Sequence, residues 1–399
     1  MNEHYERYYR QFTPERYDKF AQGLGRLIGS NYRLSTTPLI LTKLRFQRLV
    51  EITDSVVKLL QSPRYHEKVT ESPWFLPQNR MRPSDYFGDV EFHAGAEEEK
   101  IIEINFNPPG HVGLLEILEQ QFLDAFDLAV AQRVNEGFEE ALVEAVTDHY
   151  RFRKVAVGVS HLPASQPYYA HYKYFEEMFG RRGVTATVLY ARDVQADREG
   201  YPVWRGERYE RVFNLLIVKT WEDNQDLFEQ YRRVYERHPE MFFLNPLGWK
   251  LGTKRFLAEC HNLARQDYGL PVDDVERIQR ASLKTHLLSD FSSAEEVVEC
   301  FGGERNLVLK PLDGYHVQGV AIRPSMERIK PIFDTQRERY VVQQYFPPGV
   351  IPCISADGTI TERLSSLRMG FLNGKFFGMR GYNFTYPPTH EELTPVVVV

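Results

Sequence analysis

The chain has 399 residues, which is enough for two or three domains with substantial cores. Its 49 Lys and Arg residues against 55 Asp and Glu residues give a formal net charge of -6, which argues against nucleic acid as the main partner. No apolar run approaches the length of a membrane span, and the 3 cysteines lack metal-ligand spacing, so we expect reduced thiols and a cytoplasmic protein.

The first part of the chain, residues 1–80, is predicted to be a helical scaffold. Between residue 3 and about residue 63, apolar positions such as Leu39 and Leu41 suit buried helix faces. A Pro-rich irregular segment, residues 72–83, follows these helices.

A short strand at residues 100–107 carries polar side chains at every second position. Its isoleucines favour a strand, and a turn signal at residues 108–110 ends it. A period of two places three polar side chains on one face, namely Glu103, Asn105 and Asn107. The opposite face is predicted to hold Ile102, Ile104 and Phe106. One carboxylate and two amides on one face offer the oxygen ligands that Mg²⁺ prefers.

An acidic strand comes shortly before this one. Asp89, Glu91 and His93 share one face of it, and a polar loop at residues 94–99 lets the chain turn back. Such a hairpin would place Glu91 beside Glu103. An ordinary edge hairpin with a solvated polar face is the alternative, because polar alternation is common in half-exposed strands.

Residues 151–245 are predicted to form a small parallel sheet covered by helices. Three strands are expected, at residues 154–159, 185–190 and 212–218, with a helix at residues 168–179. Ligands bind at the carboxyl ends of strands in such sheets. Candidates at this edge are Ser160, Gln166 and residues 219–224, although ordinary loop polarity explains them equally well.

The last part of the chain, residues 246–399, begins with a helix predicted at residues 249–263 that carries Lys254. A later strand ends at Lys310 and is followed by a loop with two glycines. Glycines let backbone N–H groups approach a phosphate, and a lysine at the strand end adds positive charge. This is not a Walker A loop, because the element after it is predicted to be a strand.

Two strands near the end of the chain carry three arginines. The strands are expected at residues 363–371 and 375–381, and the arginines are Arg363, Arg368 and Arg380. With little acidic sequence nearby, they suggest an anion site, and a solvated sheet face is the alternative. Two interpretations of residues 396–399 stay open, an edge strand or a tail that marks where the chain was ended.

Taken together, these pieces resemble the ATP-grasp superfamily. The family's order begins with a strand ending in Asn-Pro, here Asn245-Pro246, and a lysine-bearing helix, here with Lys254. A strand-end lysine and a glycine-rich loop follow, similar to residues 310–319, and then a hinge strand, similar to residues 341–345, and an arginine-bearing strand.

The final piece of the family pattern is an acidic residue followed by a Glu-x-Asn pair. In this chain that piece stands near the beginning, as Glu91 and Glu103-Ile104-Asn105. The sequence therefore resembles a circularly permuted ATP-grasp protein, the arrangement of the group that includes glutathionylspermidine synthase-like proteins.

This resemblance implies a mixed α+β or α/β fold with a permuted ATP-grasp core. The N-terminal helical region would be followed by residues 81–150, the permuted C-terminal part of that core with the metal-ligand strands. Residues 151–245 would be the pre-ATP-grasp-like substrate domain, and residues 246–399 the lid and nucleotide-binding sheet.

The resemblance also implies an ATP- and Mg²⁺-dependent carboxylate–amine ligase that forms an amide through an acyl phosphate. Its substrates would be a small-molecule carboxylate and an amine, such as an amino acid or small peptide, and the protein would be a possible homo-oligomer. Two alternatives remain, a small-molecule kinase of the same superfamily and a non-catalytic nucleotide-binding protein.

Site residues follow from the same resemblance. The nucleotide would contact Lys254, Lys310, Gly314, Gln318, Gly319, Gln343, Gln344 and Tyr345. The metal would be held by Glu91, Glu103 and Asn105, with Asp89 as the alternative to Glu91. The acyl phosphate and its oxyanion would be steadied by Arg368 or Arg380.

Overall fold

A computed structural model describes most of the chain. The described residues are 3–28, 33–69, 81–82, 85–94, 98–106, 112–128, 130, 132–160, 169–216, 218–245, 247–265, 267–314, 318–355, 357–385 and 391–399. Several predicted features lie outside them, namely Asn107, the turn at residues 108–110, Gln166, Pro246, residues 315–317 of the glycine loop, and most of the Pro-rich segment.

The helices are α1 (Glu3–Gln11), α2 (Pro14–Ile28), α3 (Lys43–Gln61), α4 (Pro63–Val69), α5 (Leu115–Ala125), α6 (Phe138–Thr147), α7 (Tyr169–Gly180), α8 (Val218–Asp223), α9 (Glu229–Arg237), α10 (Leu247–Leu251), α11 (Arg255–His261), α12 (Val272–Ala281), α13 (Ala294–Cys300) and α14 (Met326–Gln336). The strands are β1 (Arg33–Leu34), β2 (Leu39–Leu41), β3 (Gly88–Ala94), β4 (Glu99–Phe106), β5 (Lys154–Val159), β6 (Thr185–Tyr190), β7 (Gln195–Ala196), β8 (Pro202–Trp204), β9 (Glu207–Arg208), β10 (Arg211–Asn214), β11 (Phe242–Phe243), β12 (Thr285–Leu287), β13 (Leu307–Pro311), β14 (Ala321–Ile322), β15 (Tyr340–Gln344), β16 (Gly349–Ile354), β17 (Ile360–Leu372), β18 (Lys375–Phe384), β19 (Glu391–Thr394) and β20 (Val396–Val398).

The largest sheet in the described part of the chain unites segments from near both ends of the sequence. Its strand order is β1-β19-β18-β17-β3-β4, and β16 pairs with β17. Helix α3 packs against β17 and β18. It begins after Thr42, whose side-chain oxygen accepts a hydrogen bond from the Arg45 N–H, and it buries an apolar stripe that includes Leu49 and Val56.

The N-terminal region is less helical than predicted. Leu39 and Leu41, expected on a helix face, lie in strand β2, which pairs in parallel with β20. The C-terminal valines supply this partner across more than 350 positions, and local periodicity gives no sign of it. The predicted edge strand at residues 396–399 is accordingly a buried one, since Val396–Val398 are each no more than 1% exposed.

The predicted hairpin of β3 and β4 forms, with a β-bulge that the alternation did not predict. Glu91 is paired with Glu103, whereas Phe92 is paired with Ile101, so Ile102 is the extra residue. The buried apolar side chains of β4 are therefore Ile101, Ile104 and Phe106, and Ile102 is only partly buried. Ile102 was predicted on the apolar face, and because of the bulge Ile101 takes that place instead.

A second sheet is parallel, with the strand order β11-β10-β5-β6. Strands β5 and β6 have the predicted bounds, but the third strand, β10, is only Arg211–Asn214. Helix α8 begins at Val218, so the candidate segment at residues 219–224 is largely helical rather than a loop. Within it, Lys219 forms an (i, i+4) ion pair with Asp223.

A third sheet, with the antiparallel order β12-β15-β13-β14, holds the strand that contains Lys310 and the predicted hinge strand. The helix predicted at residues 249–263 is divided into α10 and α11. Its glycines pack closely on β4, since a Cβ at Gly252 would lie 2.4 Å from the Cβ of Phe106. The break after Gly252 sets Lys254 at the start of α11, where its backbone N–H donates to Leu312 O.

Candidate active site

Four charged residues form a row across neighbouring strands of the largest sheet. Arg380 on β18 is the cross-strand partner of Arg368 on β17, which is the partner of Glu91 on β3, which is the partner of Glu103 on β4. Neighbouring strands lie about 4.8 Å apart, so the row spans about 14 Å on one face of the sheet. Sequence alternation correctly placed the polar side chains of each strand, and pairing of the strands brings them together.

Glu91 and Arg368 form an ion pair at the centre of this row. The Nε and Nη2 atoms of Arg368 lie 3.1 and 3.0 Å from the same carboxylate oxygen, Oε2 of Glu91. The other oxygen, Oε1, accepts no hydrogen bond from the described residues. The Arg368 guanidinium also stacks on Tyr382, with its Cζ 4.6 Å from the ring centroid.

Asp89 and Arg380 form a deeper ion pair, in which both side chains are 0% exposed. Arg380 Nη2 donates to Asp89 Oδ2 at 2.6 Å, and Arg380 Nε donates to the Tyr382 hydroxyl at 2.9 Å. Asn105 Nδ2 donates to the other oxygen of Asp89, Oδ1, at 2.8 Å. Both oxygens of Asp89 are thus engaged, and the Asn105 amide is held in a fixed orientation.

Lys254 reaches the row from α11. Its Nζ donates to Glu103 Oε1 at 2.8 Å and to Gly314 O at 2.9 Å. The Lys254 side chain is 9% exposed and that of Glu103 is 28% exposed, so Glu103 faces the open side of the pair. The contact with Gly314 ties the same lysine to the glycine loop.

Lys310 approaches the same place from β13. Its Nζ donates to Gln343 Oε1 at 2.7 Å and to the carbonyl oxygen of Ile102 at 3.0 Å. Ile102 is the bulged residue of β4, and a bulge leaves backbone groups outside the ladder. The bulge thus gives the lysine an acceptor that a regular strand would have used for its own pairing.

The pKa values of Lys310 and Glu103 are both lowered, by burial for the lysine and by the neighbouring lysines for the carboxylate. Burial lowers the pKa of Lys310 to about 8, with Lys254 adding to the effect and Glu103 opposing it. Burial opposes ionisation of Glu103, but Lys254 and Lys310 outweigh it, and the pKa of Glu103 is lowered. Glu103 is therefore a carboxylate at neutral pH.

Of the remaining predicted nucleotide contacts, Gln343 lies beside Lys310, whereas Gln344 and Tyr345 lie at the other end of β13, next to Leu307 and Asn306. Gln343 is buried and bonds to Thr285 as well as Lys310, whereas Gln344 is exposed at the end of β15. Tyr345 lies just beyond β15, and its ring packs under the Arg323 guanidinium at 3.9 Å. Gln318 is also exposed.

Gly319 has a conformation that other residues rarely adopt. Its φ is +74°, and a Cβ there would lie 2.8 Å from Pro311 Cγ. Gly314 is less restricted, with a Cβ contact of 3.2 Å to the same proline. Both glycines therefore lie close to Pro311 at the end of β13, next to Lys310.

The donor set of the row fits a hard cation. No group of three or more His, Cys, Asp or Glu side chains forms a metal site among the described residues. Two carboxylates and an amide are nevertheless close together, each with one oxygen that accepts no hydrogen bond from that part of the chain: Glu91 Oε1, Glu103 Oε2 and Asn105 Oδ1. Mg²⁺ usually takes one or two carboxylates, with water and phosphate oxygens completing its shell.

Not every predicted residue joins this group. Arg363 lies an odd number of positions from Arg368 on a regular stretch of β17, so its side chain is on the opposite face of the sheet. The three arginines are therefore not one anion site. Ser160 directly follows β5, at the carboxyl end of its strand, as expected.

Two side chains near the row were missed by the sequence analysis. Tyr382 contacts both arginines, and its position two residues after Arg380 on a strand was a usable signal. His171 of α7 is 2% exposed and accepts a hydrogen bond from the Gly113 N–H at 3.1 Å. Burial, with Arg380 nearby, lowers the pKa of His171 to about 3, so the imidazole is neutral at neutral pH. No local sequence pattern indicated that His171 would lie near the row.

The fold of the chain is similar to the folds of two solved structures. The chain is similar to a glutathione synthetase-like effector from Globodera pallida in its apo form, with a TM-score of 0.63, 11% identity and coverage of 96% of each chain. It is also similar to a putative gamma-glutamylcysteine synthetase from Methylobacillus flagellatus KT, with a TM-score of 0.50, 9% identity, and coverage of 90% of this chain and 89% of the other.

No family model and no curated protein sequence matches the chain. The likeness is therefore one of fold, at identities too low to carry function by themselves. None of the described helices is both long and apolar enough to cross a membrane.

Proposed function

We propose that the protein is an ATP- and Mg²⁺-dependent carboxylate–amine ligase that acts on an amino acid or small peptide. The observation that carries the proposal is that Glu103, Lys254 and Lys310 come from three distant segments and meet at strand β4. Lys254 donates a hydrogen bond to Glu103, and Lys310 donates one to the carbonyl oxygen of Ile102. Two lysine cations beside a partly exposed carboxylate suit a nucleotide triphosphate with its metal. The ligase-like fold is consistent with this reaction class.

In the proposed site, Lys254 and Lys310 neutralise the phosphates of ATP. Both lysines are already held in place, Lys254 by Glu103 and Gly314 O, and Lys310 by Gln343 and Ile102 O. Preorganised charges lower the cost of ordering side chains on binding. The end of β15 and Tyr345 would form the adenine end, and the glycine loop with Gly314, Gln318 and Gly319 would cover the phosphates.

Glu91, Glu103 and Asn105 are the proposed metal ligands. Asp89, the alternative to Glu91, has both oxygens engaged by Arg380 and Asn105, which favours Glu91 for that role. Held by these residues, the cation would supply positive charge that offsets the negative charge of the phosphates during phosphoryl transfer. Asp89 would instead orient Asn105 so that its Oδ1 remains available.

Of the two candidate arginines, Arg368 is better placed to touch substrate. Its side chain is 20% exposed, whereas that of Arg380 is 0% exposed behind Asp89 and Tyr382. Arg368 would steady the acyl phosphate and the oxyanion formed from it. Arg380 would act as a positioning residue through Asp89 and Tyr382.

The proposed reaction needs no side-chain nucleophile. A substrate carboxylate oxygen attacks the γ-phosphorus of ATP, which releases ADP and forms an acyl phosphate. The amine then attacks the acyl carbon, loses a proton and expels inorganic phosphate, and an amide results. The chain's role is to hold the reactants in line and to stabilise the charge.

We also propose that the chain is circularly permuted relative to an ordinary ATP-grasp protein. Strands β3 and β4 lie near the beginning of the sequence, yet they complete the sheet formed by β16–β19 near its end, which supports the proposal. On this proposal residues 81–150 and 246–399 make one core, and residues 151–245 are the inserted substrate domain.

The test is phosphate release from ATP and Mg²⁺ with a matrix of amino acids and small peptides, followed by mass analysis of the products. The proposal requires phosphate release that depends on both a carboxylate and an amine, and a product heavier by the amine minus water. A phosphorylated acceptor without need for an amine would instead identify a kinase. ATP binding without acceptor-dependent turnover would identify a non-catalytic nucleotide-binding protein.

A further inference from the structure

A cavity of about 360 Å³ lies away from the charged row, between α2 and one end of the largest sheet. Helix α2 contributes Tyr17, Ala21 and Gly25 to its wall, and the sheet contributes Arg33, Arg363 and Glu392. Its size lies in the usual range of small-molecule sites.

This cavity is separate from the candidate active site. Arg363, in its wall, and Arg368, in the charged row, lie on opposite faces of β17 and are five residues apart, about 16 Å along the strand. Arg33 and Glu392 are cross-strand partners on β1 and β19, and Glu392 is in turn the partner of Asn383. Asn383 pairs with Ser365, which shares a face with Arg363, so these side chains belong to the face opposite the row.

Three charged side chains line this wall, two arginines and a glutamate. Arg33, Arg363 and the carboxylate of Glu392 form no hydrogen bond or ion pair with the described residues. Burial raises the pKa of Glu392, although Arg363 and Arg33 oppose the effect. Arg33 is exposed, but Arg363 and Glu392 are partly buried, and charged groups left unpaired in such a setting are costly unless a partner compensates them.

Two neutral polar atoms on the same face of the sheet as Arg363 also lack partners among the described residues. Ser365 Oγ and Asn383 Oδ1 are buried and have no hydrogen-bond partner among the described residues, and both side chains are 0% exposed. Buried polar groups are nearly always satisfied in native proteins. This end of the sheet therefore has buried hydrogen-bonding groups that the described residues leave without partners.

We propose that this cavity is a second small-molecule site, which binds a zwitterionic amino acid or short peptide. The guanidinium groups of Arg363 and Arg33 would hold its carboxylate, since arginine matches carboxylate geometry with two parallel N–H donors. Glu392 would hold its ammonium group. A polyphosphate suits the arginines but is repelled by Glu392, so the charge pattern favours the zwitterion.

The experiment is calorimetric titration of the full chain, without nucleotide, with a panel of free amino acids and dipeptides that differ in side-chain charge. For the tightest member of the panel, we expect its N-acetyl form and its C-terminal amide each to bind at least tenfold more weakly. R363Q should weaken binding of the parent compound at least tenfold. E392Q should remove the discrimination between the free and acetylated amine.

A cavity-filling variant separates this site from the candidate active site. A Cβ at Gly25 meets no atom within 4 Å, and this residue lies in a helix, so Gly25→Leu directs a side chain into open space with little strain. Gly180→Leu is the matched control, because Gly180 is also helical with open space and lies outside the cavity wall. Binding should be lost in G25L and retained in G180L and in the active-site variant E103Q.

The inference does not depend on the proposed ligase activity. No binding by any member of the panel, or binding that survives both R363Q and G25L, would overturn it. Binding lost in E103Q but retained in G25L would assign the ligand to the candidate active site instead, and would equally overturn it.

Discussion

Lys254 Nζ lies 2.8 Å from Glu103 Oε1, although 151 positions separate the two residues in the sequence. The pair joins helix α11 to strand β4 and sets a cation beside the carboxylate that is proposed to bind metal. On the proposed function, each partner would gain a better one on nucleotide binding, because the lysine could turn to phosphate and the carboxylate to Mg²⁺. The ion pair holds both side chains in place.

Glu103→Gln should abolish Mg²⁺-dependent turnover while the protein stays folded. An amide is a much poorer ligand than a carboxylate for a divalent cation, whereas the lost ion pair costs about 1.5–3 kcal/mol at most in stability. Turnover and a urea unfolding curve on the same preparation measure the two effects. Glu98→Gln is the control, since Glu98 is an exposed acidic residue that pairs with Lys100, and it should retain activity. Full activity in folded E103Q would refute the metal role.

Lys310→Met should weaken ATP binding through loss of a charge-assisted contact worth about 1.5–3 kcal/mol, which is roughly ten- to a hundredfold in affinity. Nucleotide titration measures the change. Lys284→Met serves as the comparison, because Lys284 also donates to a carbonyl, Cys300 O at 2.7 Å, near the same sheet. Equal ATP affinity in the two variants would leave Lys310 with a structural role only.

The affinity for ATP should fall as the pH rises above about 8. Burial lowers the pKa of Lys310 from 10.5 to about 8, so above that pH the free protein holds this amine neutral. Bound phosphates favour the ammonium form, and binding must then take up as much as about one proton. Calorimetry at pH 9 in buffers of different ionisation enthalpy measures this uptake. The uptake should be absent in K310M, and the same value in wild type and K310M would disprove the linkage.

The lowered pKa of Lys310 also affects stability. Its contribution to the free energy of unfolding should increase with pH, whereas the affinity for ATP should decrease. Because the folded pKa of Lys310 is below its unfolded value, the unfolded chain binds more protons between pH 8 and about pH 10.4. The contribution of Lys310 to the free energy of unfolding therefore increases with pH across this window. Urea unfolding at pH 8 and pH 10 should show a smaller increase, or a larger decrease, in K310M than in wild type. Parallel pH profiles would contradict this prediction.

Asp89→Asn should destabilise the protein by about 3–5 kcal/mol, because it leaves the buried Arg380 charge uncompensated. Chemical unfolding measures the loss. Glu276→Gln is the same acid-to-amide change in an exposed pair with Arg280, where the side chains are 59% and 78% exposed, and it should change stability by less than about 0.5 kcal/mol. The double variant Asp89→Asn with Arg380→Met should recover part of the loss. A double variant that loses the sum of both single effects would show that the two residues are not coupled.

Much of the local structure was predictable because it depends on short-range periodicity. Alternation placed Glu103 and Asn105 on one face of β4 and Glu91 on the facing strand, and the strands at Lys154–Val159 and Thr185–Tyr190 have the predicted bounds. The resemblance to a permuted ATP-grasp pattern then grouped Glu103 with Lys254 and Lys310 across the sequence. In the structure Lys254 contacts Glu103, and Lys310 contacts the carbonyl oxygen of Ile102, the preceding residue of β4.

Only the tertiary structure decided the features that depend on partners far away in the sequence. The bulge at Ile102, which gives Lys310 an acceptor, arises from strand pairing, and no pattern within β4 predicts it. Strand β2 was expected to be helical because its apolar residues suit either element, and pairing with the C-terminal valines settled the choice. The burial of Arg380 likewise follows from how strands and helices stack, whereas alternation along β17 already places Arg363 and Arg368 on opposite faces. Periodicity fixes which side chains share a face, whereas burial and ion pairing are set by what covers that face.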